Sequence, residues 1–244
     1  MINLLTIARR EFGAYFSSSL AAVFLVVFLV ATGALTFFVG NFFGIGQANL
    51  VPFFNFHPWL FLVLMPAIGM RLWAEERRSG TIEFLMTMPV TTWQAVGGKF
   101  LAAWAFALLA LVLTFPIWIT VNYLGSPDNG VILASYAGSA MMGGAFLALA
   151  CFVSALTRNQ VTAFVISVAL GFVMLLSSQD AVLALFNGWA PTYFVDLIAS
   201  FSFARHFDAI TGGVLEASDV VFFLSFITLF LFLNCQMLDM RRGS

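Results

Sequence analysis

Six long apolar runs, each flanked by short polar stretches, set the pattern of this chain: residues 20–39, 58–73, 101–122, 131–157, 161–176 and 220–236. The second run gains length when the apolar residues 53–56 are counted with it. A bilayer's hydrocarbon layer takes roughly 20 apolar residues as a helix, so each run is predicted to be a transmembrane helix. Pro66 and Pro116 lie inside the second and third runs, where each removes a backbone donor and predicts a kink. Residues 1–17 are too polar to span, yet Ile2, Leu5, Phe12 and Phe16 recur at helical spacing. That stripe predicts an amphipathic helix lying in the membrane interface. Arg9 and Arg10 before an apolar run also fit a signal peptide, but 20–39 exceeds the usual 7 to 15 residue apolar core, so an uncleaved first span is expected. Ser218 is the predicted cap of the last span, with Asp219 in its first turn. The reading is an all-α polytopic membrane protein: one domain over residues 1–244, six transmembrane helices and an N-terminal interfacial helix.

Composition agrees. The chain is 62% hydrophobic and 9% charged, with mean hydropathy +1.02 and 30 Phe. Soluble domains carry about 25% charged residues. At roughly 20 residues per span, 244 residues leave no room for a separate soluble catalytic domain. A net charge of −1 and the lack of a basic patch argue against a nucleic-acid partner. If the N-terminus is cytoplasmic, nine of the ten basic residues fall on the cytoplasmic side and only Arg205 lies outside. Both termini and the loop at 74–98 are then cytoplasmic, the loop at 177–218 is extracytoplasmic, and the expected location is a bacterial inner membrane.

Candidate chemistry is sparse. No ionisable residue stands at the middle of a predicted span, although proton-coupled carriers keep such groups for function. His57 and His206 are both assigned to external segments, and His206 with Asp208 reads as ordinary loop polarity. Cys151 and Cys235 sit in apolar runs and read as packing residues. No serine occupies a G-x-S-x-G turn. The sole lysine, Lys99, has Trp93 where a phosphate loop needs its first glycine and Phe100 where it needs Ser or Thr, so the nucleotide-binding pattern is absent. No catalytic, cofactor or metal residue is predicted, and any ATP and magnesium would be bound by a partner. Ala140, Gly144 and Ala148 recur every four residues, as do Gly40 and Gly44, and either pair of positions could support close helix contact within or between subunits.

Residues 71–100 form the one sizeable charged island, with seven of the chain's 21 acidic and basic side chains. Glu75 and Glu76 mark a span exit, Gly80 and Thr81 a break, and Ile82, Glu83, Leu85 and Met86 a short amphipathic helix that Pro89 ends. Such a helix suits docking into a partner's groove; lying on the lipid surface is the alternative. On the other side, Trp189, Tyr193, Phe194, Leu197, Phe201 and Phe203 carry too much apolar surface for a disordered loop. They predict one or two short helices dipping into the outer interface as a lid, with Gly212 and Gly213 as the stop.

The pattern Glu75-Glu76-x-x-x-Gly80-Thr81-x-Glu83-x-Leu85-x-x-x-Pro89-Val90, followed by Gly98-Lys99, resembles the segment after the second span of type-2 ABC exporter permeases, notably the gliding-motility-like branch. Ala8-Arg9-Arg10-Glu11 and the stretch from Phe207 through Gly212 and Gly213 to Val214 extend the likeness over most of the chain. The resemblance implies a dimeric six-span half-transporter paired with a second copy or a related permease, with residues 81–85 as a coupling helix on a separate ABC ATPase subunit. Thr211 departs from it, standing where a basic residue is expected. A stand-alone secondary transporter is the alternative; it would need midplane polar groups and inverted repeats, and neither is seen. Another is a membrane anchor or assembly subunit for an extracytoplasmic accessory protein. The cargo is not legible, since lipid-facing phenylalanine accounts for the composition as well as an amphiphilic substrate does.

Overall fold

The computed structural model describes residues 2–17, 19–80, 90–179, 182–184 and 191–242, and every regular element among them is helical. In chain order the helices are α1 (Ile2–Phe16), α2 (Ser19–Ala34, continued by a π turn over Leu35–Val39), α3 (Val51–Phe54), α4 (His57–Gly69) and α5 (Arg71–Ser79). After these come α6 (Thr92–Val112), α7 (Phe115–Leu124), α8 (Asn129–Leu156) and α9 (Gln160–Leu176). The last three are α10 (Thr192–Ser200), α11 (Phe203–Thr211) and α12 (Ala217–Arg242).

Five helical runs are long and apolar enough to cross a membrane: Ala21–Val39, Val51–Ser79, Thr92–Leu124, Asn129–Leu156 and Ala217–Met240. A sixth, α9, is apolar but shorter, 17 residues. At 1.5 Å per residue it extends about 26 Å, close to the roughly 30 Å hydrocarbon thickness. It packs against α5, α8 and α11, and so runs from one end of the bundle to the other. The fold is that of an all-α polytopic membrane protein.

Capping residues in the sequence set where several helices begin. Asp128 accepts from the N–H groups of Gly130 and Val131 at the start of α8, and Asn159 accepts from Val161 at the start of α9. Thr91 and Gln94 form a reciprocal capping box at the start of α6. The last span begins two residues earlier than the sequence suggests. Ala217 opens α12, so Ser218 lies inside it, with its hydroxyl on Glu216 rather than on the helix backbone.

The central element is α8, which packs against α4, α5, α6, α9, α11 and α12. Small residues let its neighbours approach closely. A Cβ on Gly144 would lie 3.0 Å from Trp104 Nε1 and 3.1 Å from Ile227, and one on Gly138 would lie 3.0 Å from Ile210. Ala140 accepts the Trp104 indole N–H at its carbonyl, 3.0 Å away, and Ala148 is fully buried. The Ala140–Gly144–Ala148 face is therefore spent on packing within the chain. The other small-residue pair is not on a helix face at all: Gly40 caps the π turn against Thr36 and Pro52, and Gly44 closes a turn on Asn41.

The helices alternate in direction and gather two distinct ends. At one end, Lys99 meets Glu11, Arg77 meets the C-terminus of α8, and Thr92 bonds to Asp239. This brings α1, α5, the start of α6 and the end of α12 together. At the other end, Trp118 bonds to Asn129, Gly213 lies against Val131, and His206 bonds to Asp219. The first helix and the end of the last helix thus lie at the charged-island end.

Candidate functional site

The charged end is built around α5, which carries the chain from the second span into the segment at 81–89. Thr81, Ile82, Glu83, Leu85, Met86 and Pro89 lie outside the described residues, as does Trp189, but the supports on either side are on view. Gly80 closes α5 at φ +76, a left-handed position that glycine adopts without the clash a Cβ brings. Glu75 pairs with Arg71 one turn back, Nε to Oε2 2.8 Å.

The second span is not one continuous helix. Pro66 lies inside α4, and the interruption comes at Met70, whose N–H still bonds to the Pro66 carbonyl at 2.8 Å. Beyond it the Ser154 hydroxyl of α8 enters the backbone ladder. Its Oγ donates to the Met70 carbonyl at 2.8 Å and accepts the N–H groups of Trp73 at 3.1 Å and Ala74 at 3.0 Å. A side chain inserted into the helical ladder is a recognised cause of a bend. Arg77, one turn further on, donates to the carbonyls of Ala155 at 2.6 Å and Thr157 at 3.2 Å, capping the negative end of α8. In the third span the interruption lies at Leu113 and Thr114, and Pro116 sits in the first turn of the helix that follows.

Lys99 is the hub of the charged end. It is 4% exposed, and its Nζ lies 2.6 Å from Glu76 Oε1, 3.4 Å from Glu11 Oε2 and 5.5 Å from the centre of the Trp73 ring. One buried ammonium therefore ties α6 to α5 and to α1. Burial alone pushes the Glu11 carboxyl up, but Lys99 and Arg10 outweigh this and hold it below its ordinary value of 4.5. Glycines make the contact with α1 close: a Cβ on Gly98 would lie 2.8 Å from Ile7 Cγ2, and Tyr15 stacks on Phe106 with ring centres 4.9 Å apart. The packed face of α1 is thus Leu4, Ile7, Glu11 and Tyr15, while Leu5 and Phe16 of the predicted stripe remain exposed. Between α1, α4, α5 and α6 lies an open cavity of about 250 Å³, whose lining includes Glu11, Tyr15, Arg71, Glu75, Glu76 and Lys99. Deeper in, Asn234 of α12 donates to Cys151 Sγ at 3.0 Å, and both cysteines are free and buried.

At the other end, the segment before the last span folds as two short helices. Phe203 and Phe207 of α11 are buried, whereas Tyr193, Phe194, Leu197 and Phe201 stay exposed. Gly212 caps α11 and Gly213 follows at φ +88. His206 pairs with Asp219, Nδ1 to Oδ1 2.6 Å, because Asp208, two residues along the same helix, points elsewhere. His57 is not a loop residue: Pro52 and Phe53 start helix early, and the ring is fully buried among Phe28, Phe53, Phe54 and Phe61 with Nδ1 2.8 Å from Ser139 Oγ. Among the described residues no group of three His, Cys, Asp or Glu gathers as a metal site.

Sequence reasoning missed Ser154, Arg77 and the hub role of Lys99. The one available signal was Lys99 itself, a lone lysine opening an apolar helix, which must find an acid if it is buried.

A family model described as ABC-2 family transporter protein matches residues 44–235, well over half of the chain. Among individual curated proteins none matches.

Proposed function

Because the chain belongs to the ABC-2 transporter family, we propose that this membrane permease subunit forms half of an ATP-driven exporter of the gliding-motility-like kind. A second copy or a related permease supplies the other half, and a separate ABC ATPase supplies the energy. The observation that carries this reading is the bracing on both sides of residues 81–89. Before it, α5 is held by Ser154, Arg77 and Lys99; after it, α6 is held by the Thr91 cap and the Thr92–Asp239 bond. A segment that transmits force from a soluble partner needs rigid abutments, and a loop resting on lipid does not. The excess of basic residues at this end supports its lying on the cytoplasmic side with both termini inside, in what we read as a bacterial inner membrane. The aromatic helices α10 and α11, with Tyr193, Phe207, Gly212 and Gly213, then cover the outer mouth of the pathway, where an extracytoplasmic accessory protein could engage. ATP and magnesium stay with the ATPase, and this chain makes and breaks no bond.

The test is Ile82→Asp combined with Leu85→Asp. Each lost apolar anchor should cost about 1 to 3 kcal/mol, or roughly ten-fold to a hundred-fold in affinity. The expected outcome is a permease that inserts and dimerises normally but no longer copurifies the ATPase encoded with it. A normal ATPase complex in the double variant would place docking elsewhere.

A further inference from the structure

We infer that Ser154 is a positioning residue for the coupling segment, fixing the angle at which α5 leaves the second span and binding that helix to α8. This rests on the proposed role of residues 81–89. An unbroken span would pair the Trp73 N–H with the Gly69 carbonyl. Here that amide turns instead to the Ser154 hydroxyl, which also accepts the Ala74 N–H and returns its own proton to Met70. Two of these bonds hold the start of α5 on α8, and the third holds the break at Met70 there. The residue is fully buried, so no water competes for those groups. Around it, Gly69 lets the two helices meet, since a Cβ there would lie 2.5 Å from that of Ala150, and Arg77 repeats the α5–α8 link one turn later. Any displacement of the segment at 81–89 therefore reaches α8 first. At its opposite end α8 bears on α11, with Gly138 against Ile210. A push at the charged end is thereby delivered along the central helix to the helices over the outer mouth, and the angle of α5 is set at the hydroxyl-bonded break after Met70 rather than at Pro66.

Ser154→Ala removes the hydroxyl and frees the Trp73 amide to take up the Gly69 carbonyl, which lets α5 realign on α4. A change of about 20° over the roughly 13 Å of α5 moves its tip by about 4 to 5 Å. The experiment uses the full chain in lipid nanodiscs without a partner. A spin label at Arg78→Cys is paired in turn with labels at Val30→Cys and Leu133→Cys, positions that are exposed, while the two native cysteines are buried. Ser154→Ala should shift at least one of the two distances by several Å. Ser154→Thr, which keeps the hydroxyl, should restore the wild-type distances. In the assembled complex Ser154→Ala should keep the ATPase bound yet lower transport-linked ATP hydrolysis roughly five-fold or more. Unchanged distances and unchanged exchange rates at the Trp73 and Ala74 amides would overturn the inference. Failure of the wild-type chain to bind any ATPase would instead overturn the transporter reading, leaving the distance result to judge Ser154.

Discussion

The two ends of this bundle hold together by different physics. At the charged end the contacts are directional: the Lys99 ammonium on two carboxylates, the Ser154 hydroxyl in a backbone break, and the Arg77 guanidinium on two carbonyls. At the opposite end directional bonds are also present, Trp118 to Asn129, His57 to Ser139 and His206 to Asp219, but the packing is led by Phe203, which meets Phe146, Phe222, Phe223 and Phe226 edge-on or nearly so, with ring centres 4.8 to 5.9 Å apart. Directional bonds between buried groups fix one geometry and fail abruptly, whereas aromatic contacts lose little when rings slide by a fraction of an ångström. The difference teaches where motion can be tolerated. A stiff charged end and a compliant aromatic end are what a helix bundle needs if movement is received at one and expressed at the other.

Removing Lys99 should break the stiff end most severely. Lys99→Met leaves Glu76 and Glu11 facing each other across a largely buried site, and loss of one partner of such a group costs about 3 to 5 kcal/mol. Thermal unfolding in detergent should show the loss, and adding Glu76→Gln and Glu11→Gln should recover much of it. A Lys99→Met protein as stable as the wild type would remove the case for the hub. Phe203→Ala at the compliant end should cost less, about 2 to 4 kcal/mol, because the neighbouring rings can partly collapse into the space. Phe203→Leu should then cost under half of that by the same melt. Equal penalties for Phe203→Leu and Phe203→Ala would mean that this end is as rigid as the other.

Much of this was legible in the sequence, and the parts that were not have a common cause. Apolar run length marked the spans, and Gly80, Asp128 and Asn159 act through local backbone chemistry that sequence displays directly. The facing of each helix was hidden, because a span is apolar on its lipid side as well as its packed side and its periodicity does not say which is which. The same blindness hid the packed side of α1. Of its apolar stripe Phe12 packs on the core while Leu5 and Phe16 stay exposed, as a stripe facing lipid does, and Glu11 is polar yet packed, since its partner Lys99 lies 88 residues away. Ser154 looked like one more small residue in an apolar helix; only its position over the break 80 residues earlier gives it a role. The segment at 81–89 was the clearest motif in the chain and lies outside the described residues, so the docking proposed for it is argued from its abutments.

A smaller test sharpens the contrast between bonds that fix and contacts that slide. Gly69→Ala places a methyl 2.5 Å from Ala150 Cβ, and both are fixed to backbone, so α4 and α8 must part by about an ångström. The expected cost is about 1 to 3 kcal/mol, read as a lower unfolding temperature. Gly13→Ala, in the middle of α1 with nothing within 4 Å, is the control and should leave the unfolding temperature unchanged or slightly raised, alanine being the better helix former. If both variants melt alike, the close approach beside the Ser154 break does not matter to stability.

The smallest effect expected is that of acid on α1. The Glu11 carboxyl is held below its ordinary 4.5 by Lys99 and Arg10 against the opposing pull of burial, so it binds its proton less readily in the folded protein than in the unfolded chain. Its contribution is therefore complete above about pH 4.5 and is lost as pH falls through the depressed folded value. A spin label at Gly13→Cys, an open position on α1, paired with one at Leu133→Cys should report a constant distance from neutral pH down to about pH 5 and a broadened one below about pH 4. Lys99→Met should move that dependence to higher pH, because Glu11 then has only Arg10 to set against burial. Both histidines, His57 and His206, belong to the other end of the bundle. Release of α1 between about pH 6 and 7 would thus point to a titrating group that the Lys99 cluster does not contain, and would break the assignment of α1 to this cluster.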